Sequence, residues 1–321
     1  MVKVLLERLL ELEDQPDPRF AFLGTVNWMR ALAILVDADS FKNAGLAAGY
    51  ESVQRRSPNE AADTVALDNL LMAHHNHVSL KQMVKHVSNP YDIVRSAVVA
   101  WYYSVYFSSG AMVAASSGAS TETHAASIKR WHAEILTKEL AIAPFDFHLD
   151  SLTGSETDER MKHYKSLSRH KLVDSPNNST DAVGAVVAYL SGTLSFEQWK
   201  AEERARETKE FRALNVNNFR TNAAREIRDR FYANGRVNFL TQAFRYRGKA
   251  NYRDSIFLTY GDDNCEKVKL LCDDLVVVSR AYQRMAASYV SRRIEKGLWS
   301  TFLTDIKNNK RITGKAAYLN V

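Results

Sequence analysis

The chain has 321 residues, 45% hydrophobic and 25% charged, with a net charge of +6. That is enough to bury a full core, as one large domain or two modest ones, and it excludes a disordered or fibrous chain. No apolar run approaches the ~20 residues that cross a bilayer, so no membrane partner is expected.

The opening stretch, MVKVLLERLLELED, sets Val2, Leu5, Leu9 and Leu12 along one helical face. It is too charged and too amphipathic for a signal peptide, and a cytoplasmic location is expected. Asp14 to Arg19, rich in proline and charge, separates this helix from the rest. Ser57-Pro58-Asn59-Glu60 reads as a capping box with the serine as N-cap and the proline at N1. His74, His75 and His77 offer imidazoles, but their spacing does not converge on one side of a helix. No carboxylate or cysteine completes a four-ligand set. They are read as a polar helix end, with no metal.

Ser88-Asn89-Pro90 opens a long helix reaching about Ala115. Tyr91, Val94, Val98, Trp101, Val105 and Met112 keep a 3–4 residue beat, with Ser108 or Ser109 filling a step. Ala97, Ala100 and Ser104 add small side chains that allow close helix approach. Residues 141–180 are mixed and polar and end in a loop at 174–181. Ser195-Phe196-Glu197-Gln198 reads as a further helix start, and the charged stretch 198–212 as a solvated helix. Val268, Leu271, Leu275, Val278, Tyr282, Met285 and Tyr289 mark a second long bundle helix.

Cys265 and Cys272 lie two helical turns apart, too far for an unstrained bridge within one helix, and neither belongs to a C-x-x-C pair. Both are read as core thiols. Proline and glycine are scarce, at 6 and 13, and β-branched alternation is rare, so the fold class is all-α.

Charge is concentrated in one place. Between Asn215 and Arg253 stand Arg220, Arg225, Arg228, Arg230, Arg236, Arg245, Arg247, Lys249 and Arg253, against only Glu226 and Asp229. Phe219, Phe231, Tyr232, Phe239, Phe244, Tyr246 and Tyr252 are interleaved with them. On a helix, Phe219, Ala223, Ile227 and Phe231 would share an apolar edge. Arginine forks grip phosphate oxygens, and exposed rings stack on unpaired bases. This set points to nucleic acid, RNA more than DNA. The competing reading is an arginine-bearing surface whose rings belong to the core, or which docks on an acidic protein.

Two segments carry a likeness to a known family. The first holds Tyr102-Tyr103-Ser104, then Gly118, then Thr123-His124; the second is Arg247-Gly-Lys-Ala-Asn-Tyr252. The pattern resembles the HEPN superfamily of prokaryotic helical domains, whose small members have R-x-x-A-D-Y where this chain has R-x-x-A-N-Y. The likeness implies a HEPN-like helical bundle over 90–140 and 240–295. An N-terminal helical section (1–89), a helical insertion (141–239) and a C-terminal tail (296–321) would surround it. It also implies a bacterial defence, toxin–antitoxin or RNA-processing setting, and a bundle face able to form a homodimer or meet a protein partner.

Nuclease members of that family resemble one another in an R-x(4–6)-H motif. Here the nearest cases, Arg130-Trp-His132, Arg160-Met-Lys-His163 and Arg169-His170, lack the gap. Lys81 to His86 and Lys165 to His170 have it with lysine, which lacks the phosphate-gripping fork. A non-catalytic component is therefore expected. The alternative is a metal-independent endoribonuclease with a non-standard site, for which His124 and Arg247 are the candidates. Asn251 in place of the aspartate would leave Arg247 less neutralised. No Walker loop, G-x-G-x-x-G, H-E-x-x-H or G-x-S-x-G occurs, and no cofactor is expected.

Overall fold

The computed structural model describes residues 18–120, 123–168, 170–171, 173–251, 264–309 and 319. Among them the chain is all-helical, its only β pairing being an isolated bridge between Leu149 and Val237. In chain order the α-helices are α1 (Pro18–Leu35), α2 (Asn43–Gly49), α3 (Glu60–His86), α4 (Val94–Ser117), α5 (His124–Trp131), α6 (Ser155–Ser166), α7 (Ser179–Glu207), α8 (Lys209–Ala213), α9 (Asn222–Asn234), α10 (Phe239–Asn251), α11 (Cys265–Arg293) and α12 (Lys296–Asn308). A π-helical turn, His132–Leu136, continues α5. The expected helix over Val2 to Leu12 lies outside the described residues.

Helix α4 is the axis of the molecule. It packs most extensively on α3, then on α11, and also on α10 and α5. Enclosed in this way, it buries Val94, Val98, Trp101, Val105 and Met112 and also Ala97, Ala100, Ser104, Ser108 and Ser109. Small residues let neighbouring backbones come close, but the buried hydroxyls must find partners. Ser108 and Ser109 donate to the carbonyls of Ser104 and Val105. Ser104 Oγ meets Ser279 Oγ at 2.8 Å, and His77 Nδ1 reaches the same Ser279 Oγ at 2.9 Å. Gln283 Nε2 donates to the Ala73 carbonyl at 3.1 Å. One polar layer thus ties α3, α4 and α11 in register. At its end α4 is stopped by Gly118, whose φ of 77° is a left-handed conformation that glycine takes without strain.

Helix α1 closes the bundle against α7 and α11. Trp28 stacks on Tyr189 of α7 at 4.3 Å and meets Trp101 edge-on at 6.0 Å. Arg30 donates to the buried Asp274 carboxylate at 3.0 Å. The main core therefore extends beyond 90–140 and 240–295: it takes in α1, α3 and the first half of α7 through Ala182, Ala185, Val186 and Tyr189. The insertion adds two small cores, one around Leu149, Leu152, Met161, Leu190 and Val237, the other around Ala205, Phe211, Ala224 and Ile227.

Several local expectations are corrected. Asn59, not Ser57, caps α3: its side chain accepts from the Ala62 amide, and Asp63 Oδ2 accepts from the Asn59 amide. Ser195 does not start a helix. It lies inside α7, where its hydroxyl bonds back to the Ser191 carbonyl, one turn earlier. Ala201, Ala205 and Phe211 are buried, so 198–212 is not wholly solvated. His74 and His77 lie in the middle of α3 and are buried, while His75 is exposed. Cys272 is buried, but Cys265, the first residue of α11, is exposed. The expected C-terminal tail holds α12. The apolar faces of 90–115 and 266–290 are covered by α1, α3 and each other.

Burial first, and then the electrostatic influence of His74, Lys81 and Arg280, pulls His77 down to about 3 from its ordinary 6.5. A depressed histidine stabilises the fold above pH 6.5, and the stabilisation is lost as pH falls toward 3, at about 1.4 kcal/mol per unit. Unfolding free energies from urea titrations at pH 7 and pH 5 should therefore differ by about 2 kcal/mol more in the native chain than in His77→Leu. Equal acid sensitivity in both would place the effect elsewhere.

Candidate functional site

Thr123 accepts from the Ala126 amide and so starts α5 at His124. That start, one face of α4 and one face of α10 converge. His124 Nδ1 lies 2.8 Å from the Tyr102 hydroxyl. Its ring centroid is 4.8 Å from Tyr106 and 5.1 Å from Phe244, with Tyr102 at 5.5 Å. The Arg247 guanidinium sits 5.5 Å from the ring centres of both Tyr102 and Tyr103, and its Nη2 donates to the Tyr103 hydroxyl at 3.3 Å. Arg247 Nε is buried and has no hydrogen-bond partner among the described residues, and no carboxylate there pairs with this side chain. His124 and Arg247, far apart in sequence, thus belong to one site.

The electrostatics follow from burial and from that cation. His124 is lowered from its usual value, by desolvation first and by Arg247 second. Tyr102 is raised, again by desolvation, with Arg247 opposing. At neutral pH both groups are therefore uncharged. In one arrangement of the 2.8 Å contact the Tyr102 hydroxyl donates to Nδ1. The imidazole hydrogen then stands on Nε2, making His124 a hydrogen-bond donor in this state. A guanidinium, an imidazole N–H and a phenol form an anion-binding group, backed by rings that contribute cation–π attraction.

The remaining predicted residues do not form one strip. Arg220, Arg225 and Arg230 are exposed on or beside α9, and Arg228 is half-buried. Arg230 pairs with Glu210 and Arg228 with Asp229, at 2.7 Å in the second pair. Arg225 Nη2 donates to the Arg220 carbonyl at 2.8 Å. Phe219 precedes α9 rather than sharing an edge with Ala223, which is exposed; the buried face is Ala224, Ile227 and Tyr232. Phe219 lies beneath Arg206 and Arg228. Tyr232, Phe239 and Tyr246 are buried and unable to stack on a base. Arg236 is half-buried near His132. Arg245 and Lys249 lie over Tyr189, on the α7 side of α10. Arg253 and Tyr252 lie outside the described residues.

Sequence reasoning missed Tyr106, Phe107 and Phe244 as walls of the site. Their signal was spacing: Tyr106 is one turn from Tyr102, and Phe244 is one turn from Arg247. It also missed a second polar cluster at the joint of bundle and insertion. There Asp150 accepts from His132 Nε2 at 2.8 Å and pairs with Arg160 at 2.8 Å, with His148 at 3.7 Å. These groups pair across the joint and act as a clasp. No metal-holding group of three or more ligands occurs among the described residues. Nor is any described helix long and apolar enough to cross a membrane.

Comparison with known proteins finds no matching family model, no similar curated protein and no similar solved structure.

The pair can be read directly by NMR. His124 should titrate below an ordinary histidine, and Arg247→Gln, which keeps a donor for Tyr103 but removes the charge, should move it upward. An unchanged titration would show that the guanidinium does not act on the ring.

Proposed function

We propose that this chain is a nucleic-acid-binding, non-catalytic component of a bacterial defence or toxin–antitoxin system, taking single-stranded RNA in preference to DNA. One observation carries the reading: the Arg247 guanidinium, without a carboxylate among the described residues, is held on Tyr102 and Tyr103 beside an uncharged His124. A phosphate oxygen is the anion such a fork grips best. The half-exposed rings of Tyr103, Tyr106 and Phe244 offer stacking faces next to it. His124 Nε2–H and the tyrosine hydroxyls are neutral partners suited to a ribose 2′-hydroxyl. The exposed Arg220 and Arg225 add long-range attraction. The HEPN-like residues, Tyr102-Tyr103, Thr123-His124 and Arg247, are the ones that line this site, and they supply the proposed biological setting.

A second reading is favoured by the same juxtaposition: a metal-independent endoribonuclease. In it the His124 imidazole takes the 2′-hydroxyl proton as that oxygen attacks phosphorus. The 5′-oxygen leaves, taking a proton from solvent, to give a cyclic phosphate and a 5′-hydroxyl, and Arg247 balances the charge. This role for Nε2 needs the tautomer in which Nδ1 carries the hydrogen and donates to the Tyr102 hydroxyl.

Labelled single-stranded RNA with EDTA, scored for retention and cleavage together, separates the two. Retention without cleavage is expected, weakening as salt rises, and about tenfold or more weaker in Arg247→Gln. Salt-insensitive binding unchanged in that variant would sink the proposal. Cleavage abolished by His124→Gln would establish the second reading.

A further inference from the structure

Trp199 is the most exposed large apolar side chain among the described residues, at 55%. It stands on α7 one turn from Phe196, the ring centres 5.8 Å apart and tilted by 31°. Arg245 of α10 lies over Phe196 at 4.5 Å and donates to Thr193 Oγ1 at 3.2 Å. No carboxylate among the described residues pairs with it. Lys200 also lies near Phe196, but Glu197 neutralises it at 3.0 Å.

The rotation of α10 connects this patch to the Arg247 site. At 100° per residue, Arg247, Phe244, Gly248, Arg245 and Lys249 follow one another around a single arc. Those five are half-exposed, while Ala243, Tyr246 and Ala250, on the opposite arc, are buried. A side chain built at Gly248, midway along the arc, would meet nothing within 4 Å. Bare helix backbone therefore lies between the two arginines. Two rings beside a guanidinium are far smaller than the roughly 800 Å² per partner of a stable protein interface, and they match the size and chemistry of a nucleobase with its phosphate.

We infer that Trp199 and Phe196 form a second subsite, which stacks a base of single-stranded RNA whose phosphates run across Gly248 from Arg247 to Arg245. This rests on the RNA-binding reading above and adds to it a direction for the strand and a base-stacking platform outside the family-like segments.

The five tryptophans make the test clean, since Trp28, Trp101 and Trp131 are fully buried and Trp299 is 8% exposed. The full chain is titrated with an oligouridylate of about twelve nucleotides while tryptophan emission and its access to a soluble quencher are followed. Saturation should quench and shield the Trp199 emission. Trp199→Ala should bind about fivefold or more weakly with an unchanged melting temperature. Gly248→Gln, which removes a helix-interior glycine into open space, should keep or raise stability yet weaken binding. RNA binding that needs Arg247 but leaves Trp199 emission and the Trp199→Ala affinity untouched would overturn this subsite while the RNA reading stands. No binding at all would overturn both. Shielding of Trp199 by rising protein concentration without RNA would assign the patch to a second copy and overturn it as well.

Discussion

The structure depends on one constraint: α4 is buried on nearly every side. A helix so enclosed cannot keep a polar stripe, so its polar residues are small and bond inward, Ser108 and Ser109 to their own helix and Ser104 to Ser279. That layer fixes which turn of α3 and α11 faces which turn of α4, since a slip by one turn would leave hydroxyls and an uncharged imidazole unsatisfied at a cost of about 1–3 kcal/mol each. It also fixes where α4 meets solvent. Tyr103 and Tyr106 come out, with Tyr102 buried beneath them, at the edge where α5 and α10 approach, and this edge is the site.

Arginines of the basic stretch and of α7 differ in what answers them. Three on α7 and α9 are answered by acid: Arg206 by Glu202, Arg228 by Asp229, Arg230 by Glu210. On α10, Arg245 and Arg247 are held by rings and hydroxyls, with no carboxylate among the described residues. Aromatic faces attract a cation without neutralising it. The local excess of basic residues in the sequence is therefore less informative than its division. Paired arginines steady the insertion, whereas ring-held ones keep their full charge near the surface.

Much of this was legible in advance. The apolar beat from Val268 to Tyr289 and from Val94 to Met112 is buried as expected, because helical periodicity read over seven or so positions averages out local exceptions. Single-residue signals fared worse. Ser57 and Ser195 both matched a capping pattern, yet an asparagine two residues on took the first role, and the second serine found a carbonyl one turn back. A capping sequence shows what a side chain can do, and tertiary packing decides whether the helix needs it there: α7 runs straight through Ser195 because Leu190 and Ala201 on either side are both buried. His77 looked like a polar end residue because its partners, Ser279 and Ser104, are far away in sequence. The pairing of His124 with Arg247 was within reach as two halves of one pattern. The cage of Tyr106 and Phe244 around it was not, since ring contacts depend on how helices cross.

The site is electrostatically incomplete, and the direction of that imbalance is informative. Desolvation and Arg247 both keep His124 from accepting a proton, so the surroundings tolerate one positive charge and resist a second. A half-buried guanidinium with a buried Nε lacking a hydrogen-bond partner among the described residues is costly unless an anion arrives. Arrival of an anion beside Arg247 would ease the burden on His124 and raise its proton affinity.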